Sequence, residues 1–140
     1  MSYTNLYGIK SDFTAVELKQ YKNSWLFLPQ IYKILGEKYL NEKDTYKVLF
    51  TSKNLDKLER NVSKSKRTED RVLWLLVNQQ IFFTKDKTFI ADCIQKFFME
   101  DVRYYHPDNM DLIEWYDKIR KDISALDEKK YPYFIFNATS

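Results

Sequence analysis

The stretch from Arg71 to Met99, RVLWLLVNQQIFFTKDKTFIADCIQKFFM, holds the densest run of large apolar residues and lies in the middle of the chain. Val72 to Val77 is unbroken apolar sequence, so periodicity does not separate a buried helix from a buried strand. The preceding Thr68-Glu69-Asp70 favours the helix. Thr68 can cap it, and two acids then occupy the first turn, where the positive end of the helix dipole stabilises them. A helix is predicted from Thr68 to about Asn78. Gln80 to Thr84 is β-branched and aromatic, which predicts a short strand. Lys85-Asp86-Lys87 reads as a turn, with Asp86 capping a second helix from Lys87 to Met99. Phe89, Ile90, Cys93, Ile94, Phe97 and Phe98 give that helix a wide apolar face. Such a face needs covering by other elements, so the unit does not stand alone. Its aromatics read as core rather than as a cofactor or lipid pocket.

What must cover it comes from both flanks. Tyr3 to Lys10 reads as a strand, which Gly8 loosens or bulges. Thr14-Ala15-Val16-Glu17 matches a capping box, with Phe13 and Leu18 at the staple positions. The expectation is a helix from Ala15 to about Lys22. Pro29 suits the first turn of a further helix, whose apolar face is Ile31, Tyr32, Ile34, Leu35 and Tyr39. Gly36 ends that helix early or is carried inside at a cost of about 1 kcal/mol relative to Ala. Trp25 to Leu28 should be buried between the two helices. Asn41 to Asp44 reads as a turn, Tyr46 to Thr51 as a strand, and Asn54 as the cap of a short helix. Asn61 to Arg67 is polar and basic and reads as a mobile loop.

Beyond the central stretch, Tyr104 to Asn109 is a predicted loop. A last helix, capped by Asp108 or Asn109, should run to about Leu126 on Leu112, Tyr116, Ile119, Ile123 and Leu126. Tyr131 to Phe136 reads as a terminal strand, and Pro132 assigns it to a sheet edge or a strand start. The sum is an α+β fold: one domain over residues 1–140, with about five helices on a small, mainly antiparallel sheet whose terminal strands pair.

Composition narrows the function. The chain has 140 residues, enough for one real core, and 44% apolar and 31% charged residues argue against disorder. No stretch approaches the roughly 20 apolar residues of a membrane span, and the N-terminus lacks a signal-peptide core. A single cysteine forms no internal disulfide and fits a reducing cytoplasm. Asn61-Val62-Ser63 and Asn137-Ala138-Thr139 match the glycosylation pattern, but carry no weight without a secretion signal. Frequent Lys, Asn, Ile, Tyr and Phe suit an A/T-rich bacterial or phage genome.

The available chemistry is sparse. Cys93 and His106 are the only cysteine and histidine, so no thiolate or imidazole metal cluster exists. As a nucleophile pair they are disfavoured, because Cys93 lies on an apolar helix face. Gly8 and Gly36 are the only glycines, and glycine-rich phosphate cradles need more. No catalytic residue, cofactor or metal is predicted. Among 20 acids no pair stands out for acid–base work, so a small enzyme with an unrecognised carboxylate site ranks third among the function classes. For nucleic acid, Lys64, Lys66 and Arg67 form the densest basic patch, without the interleaved aromatics of single-strand binders. The net charge of +3 is mild. For a protein partner, 11 tyrosines exceed what a core of this size easily hides, and tyrosine is enriched at recognition surfaces. Tyr104, Tyr105, Tyr131 and Tyr133 flank the last helix and are the predicted partner-binding set; the tryptophans are assigned to the core.

The segment Gln20-Tyr21-Lys22-Asn23-Ser24-Trp25-Leu26 resembles a stretch of immunity proteins from contact-dependent growth inhibition systems. The chain also resembles them in being small, single-domain and without catalytic motifs. The resemblance implies a protein that binds a toxin or effector and blocks its active site or substrate entry. It carries over no functional residue. Basic toxins are often matched by acidic immunity proteins, a version that a mildly basic chain does not fit. A protein-binding inhibitor is therefore the first expectation, with a nucleic-acid-associated regulatory module second.

Overall fold

A computed structural model describes residues 3–22, 28–40, 52–105, 107–108 and 110–139. The architecture is α+β. Strands β1 (Tyr3–Ile9), β2 (Ala15–Lys22), β3 (Phe82–Phe83) and β4 (Tyr133–Thr139) form one antiparallel sheet in the order β2-β1-β4-β3. The helices of the described residues are α1 (Leu28–Leu40), α2 (Ser52–Ser63), α3 (Thr68–Val77), α4 (Lys87–Phe97) and α5 (Met110–Ser124). A π-helical turn, Phe98–Val102, extends α4 into a short helical turn at Arg103–Tyr105.

The terminal strands do pair, and β1 sits between β2 and β4. Its inward row, Thr4 and Leu6, meets Phe134 and Phe136 of β4 in a core completed by Leu35, Leu73, Leu76, Ile94, Phe97, Ile119 and Ile123. The central stretch thus supplies two of the helices that cover the sheet. Pro29 lies in the first turn of α1, and Gly36 is carried inside that helix. Helix α3 starts at Thr68, but its cap residue is Arg67, with no side-chain cap bond. Asp86 precedes α4 likewise without a side-chain cap bond.

Several expectations are corrected. Ala15–Lys22 is a strand rather than a helix. The capping-box residues instead close a hairpin: Asp12 Oδ1 accepts the Thr14 N–H at 3.0 Å, and Lys10 N–H donates to the Thr14 carbonyl at 2.9 Å. Val16, Leu18 and Tyr21 then face inward across a β-bulge opposite Leu6 and Tyr7. Pairing with β1 outweighs the local helix signal. Strand β3 is only two residues long, and Thr84–Asp86 forms a 3₁₀ turn. Asn61–Ser63 belongs to α2, so the predicted loop shrinks to residues 64–67. Tyr104 and Tyr105, the start of the predicted loop, belong instead to the helical turn Arg103–Tyr105. The turn at Asn41–Asp44, the strand at Tyr46–Thr51, the linker Trp25–Phe27, His106 and the cap candidate Asn109 lie outside the described residues.

Candidate functional site

Side chains alternate across a strand. Since Leu6, Phe134 and Phe136 turn to the helices, Asn5, Tyr7, Ile9, Tyr133, Ile135 and Asn137 turn to the opposite, outer face, where Asn5 and Ile9 are themselves buried and the other four are at least partly exposed. Gln20 and Glu17 of β2 pair with Asn5 and Tyr7 and share it. At one end of this face three rings from three parts of the chain meet. Tyr133 stacks on Phe13 of the β1–β2 hairpin, with centroids 5.8 Å apart, and meets Phe83 of β3 at a tilt, with centroids 5.6 Å apart. Phe13 is 73% exposed and Phe83 53%. Ile81, two residues before Phe83, is 57% exposed. Lys85 Nζ lies over the Phe83 ring, 5.1 Å from its centroid.

Phe13 adds a second signal. Its backbone is left-handed, with φ of 67°. Glycine, asparagine and aspartate reach that region readily, whereas a bulky residue there is an outlier costing about 1–2 kcal/mol. A large apolar side chain held against that cost and left in water is the kind of local conflict that marks functional positions.

The predicted tyrosines do not assemble into one surface. Tyr133 stands in the aromatic cluster. Tyr131 is buried on the helix-facing side, where its ring fills the space left by Gly8. Tyr104 is 77% exposed on the helical turn after the π turn; the side chain of Tyr105 is not among those described. Trp74 is buried and Trp115 half-buried against Tyr21 and Tyr116. Phe13, Phe83 and Ile81 are residues that sequence reasoning did not assign to a site. Their signal was faint: strand alternation places Ile81 and Phe83 on the side opposite Phe82, whose ring stacks on buried Phe134.

The basic patch also divides. Lys64 and Lys66 are exposed on the α2–α3 connection. Arg67 is held in an ion network linking α1, α3 and the π turn. Its Nη2 lies 2.8 Å from Asp101 and 2.9 Å from Glu100, and its Nε lies 3.1 Å from Glu69 and 3.2 Å from Asp70. Lys38 Nζ donates to Asp70 at 2.6 Å and lies 3.2 Å from Asp101. The Tyr39 hydroxyl donates a short bond to the same Asp70 oxygen. Asp70 is fully buried, with Oδ1 left without a hydrogen bond. Burial raises the Asp101 carboxyl above the ordinary range even though Lys38 and Arg67 pull it down. Burial and the bond to Asp70 push the Tyr39 hydroxyl up to about 12. The π turn is what brings Glu100 and Asp101 to Arg67 across more than thirty residues of sequence. The network is a staple between helices, and its carboxylates are already matched with cations. Cys93 is buried, and its thiol is pushed up to about 11 by burial and by Glu69 and Asp92, which is the reverse of an activated nucleophile. No described helix is long and apolar enough to cross a membrane.

Compared with known proteins, the chain matches no family model, no curated protein and no solved structure.

Proposed function

We propose that the chain is a protein-binding inhibitor of the immunity type, which neutralises a toxin or effector by docking the outer face of its sheet against it. The observation that carries this is the ring cluster Phe13–Tyr133–Phe83, contiguous, largely exposed and built from three segments. Aromatic anchors of this kind dominate protein–protein binding energy. The face around them is close to neutral. Its described rows carry tyrosines, amides and isoleucines, with Glu17 and Lys22 of β2 as the charged members. A partner that fits presents an apolar patch ringed by hydrogen-bonding groups, and charge contributes little to its recognition. The segment that resembles immunity proteins begins on this face, at Gln20.

Charge placement argues against the nucleic-acid reading. Single-strand binders run cations and stacking rings along one groove. Here Lys64 and Lys66 lie in the helical layer, on the other side of the sheet from the rings, and Arg67 is neutralised by carboxylates.

The test uses the tagged chain as bait in cells that make it, with nuclease present. The wild type should retain one protein in near-stoichiometric amount. Phe13→Asn and Phe83→Ser should lose it, and Lys64→Ala with Lys66→Ala should keep it. Retention of the same protein by all variants would refute the reading. So would capture of nucleic acid that salt releases, or of no protein at all.

A further inference from the structure

On the helix-facing side of the sheet, between β2 and the end of α5, lies a cavity of about 410 Å³. That is within the size range of small-molecule sites. Two local irregularities shape it. At the β-bulge the register slips, so Lys19 pairs with Leu6 in the row that faces the helices. Bulges re-aim side chains in this way. At Gly8 a Cβ would fall 2.6 Å from the Tyr131 ring, so the bare glycine lets that ring form a wall of the cavity.

The charges at the mouth are not equivalent. Asp122 and Asp127 keep their charge but are turned to donors within the fold. Asp122 Oδ2 accepts the Tyr21 hydroxyl at 2.7 Å, and Asp127 Oδ1 accepts the backbone N–H groups of Lys129 and Lys130 at 3.0 and 3.2 Å. Lys130 Nζ lies over the Tyr131 ring, 5.5 Å from its centroid. Neither Lys19 nor Lys130 has a carboxylate within ion-pair distance among the described residues. Two lysines with no ion-pair carboxylate among the described residues thus line the cavity beside the apolar Leu18, Leu126 and Tyr131.

We propose that this cavity binds a small organic carboxylate with an aryl or alkyl body. The carboxylate sits between Lys19 and Lys130, and the body lies against Leu18, Leu126 and Tyr131. An inward lysine also discourages edge-to-edge pairing of β2, but that role needs no cavity behind the lysine. The site is on the opposite side of the sheet from the proposed partner face, so the two readings stand or fall separately.

The experiment is a titration of ¹⁵N-labelled full-length chain with 4-phenylbutyrate, followed by amide chemical shifts. The amides of Lys19, Ala125 and Lys130 should move together and saturate. Lys19→Met and Lys130→Met should each weaken binding about tenfold, the loss expected for one charge-assisted contact. The neutral 4-phenylbutyramide should bind more weakly by a similar factor. No saturable shift at millimolar 4-phenylbutyrate would overturn the proposal. Equal binding of the amide or of 4-phenylbutylamine would overturn it as well, as would two folded lysine variants that bind like wild type.

Discussion

Replacing Arg67 by methionine removes the one cation that touches four carboxylates. The side chain of Asp70 is fully buried, and those of Glu69 and Asp101 are 6% and 9% exposed, so none of the three is well solvated when Arg67 leaves. Breaking a buried pair by deleting one partner costs about 3–5 kcal/mol. Arg67 is itself 37% exposed, and Lys38 still holds Asp70 and Asp101. Solvent screening and that remaining cation reduce the expected loss to about 2–3 kcal/mol. With a urea slope of about 1–3 kcal/mol/M, the unfolding midpoint should fall by roughly 1–2 M. Acid should soften the effect. A carboxyl raised by burial, as Asp101 is, keeps its proton better folded than unfolded. Its contribution is present below the unfolded value of about 3.9 and is lost as pH rises through the folded value. Without Arg67 that folded value climbs further, so the variant regains ground relative to wild type as pH falls from neutral towards 4. Urea unfolding of both proteins at several pH values reads the effect directly. A midpoint within about 0.3 M of wild type at neutral pH would refute the staple, and so would a loss that grows on acidification.

Two further outcomes follow from the packing. Gly8→Ala should destabilise by about 1–2 kcal/mol, since its Cβ must push back the Tyr131 ring and Leu18; denaturant melts that match wild type would contradict that close approach. Cys93, buried and with its thiol held at about 11, should react with a disulfide reagent at pH 8 far more slowly in the native protein than in urea, and equal rates would show the site to be open.

Much of the fold was legible because the central helices carry long, one-sided apolar patterns that tertiary context had no reason to oppose. Helix α5 and the terminal strand were readable for the same cause. Strand β2 was not, because AVELKQYK supports a helix locally and its inward row, Val16, Leu18 and Tyr21, is broken by a bulge. A π turn has no residue signature, so the meeting of Glu100 and Asp101 with Arg67 was invisible. Lys64-Ser65-Lys66-Arg67 looked like one basic patch because the acids that neutralise Arg67 include two from a distant part of the chain. Tyr131 and Tyr133 would share a face on an unbroken strand. The chain bends at Pro132, before β4 begins, and that bend sends one ring inward and leaves the other outside. Of the site, only Tyr133 was assigned in advance. Phe13 was read as a helix staple, and its exposure depends on a hairpin that local sequence does not announce.

Phe13→Asn isolates the contribution of the aromatic rings on the outer face to partner binding. Asparagine tolerates the left-handed backbone at this position. The strain it relieves, about 1–2 kcal/mol, offsets the loss of a ring stack worth about 0.5–1.5 kcal/mol. Folding stability should therefore stay near that of wild type. The decisive measurement is the dissociation constant of this variant for the captured partner, taken beside wild type at low and high salt. A loss of at least about 30-fold is expected, the mark of a hot-spot residue, with little dependence on salt in either protein. An affinity equal to wild type, or one that falls steeply with salt in both, would contradict that expectation.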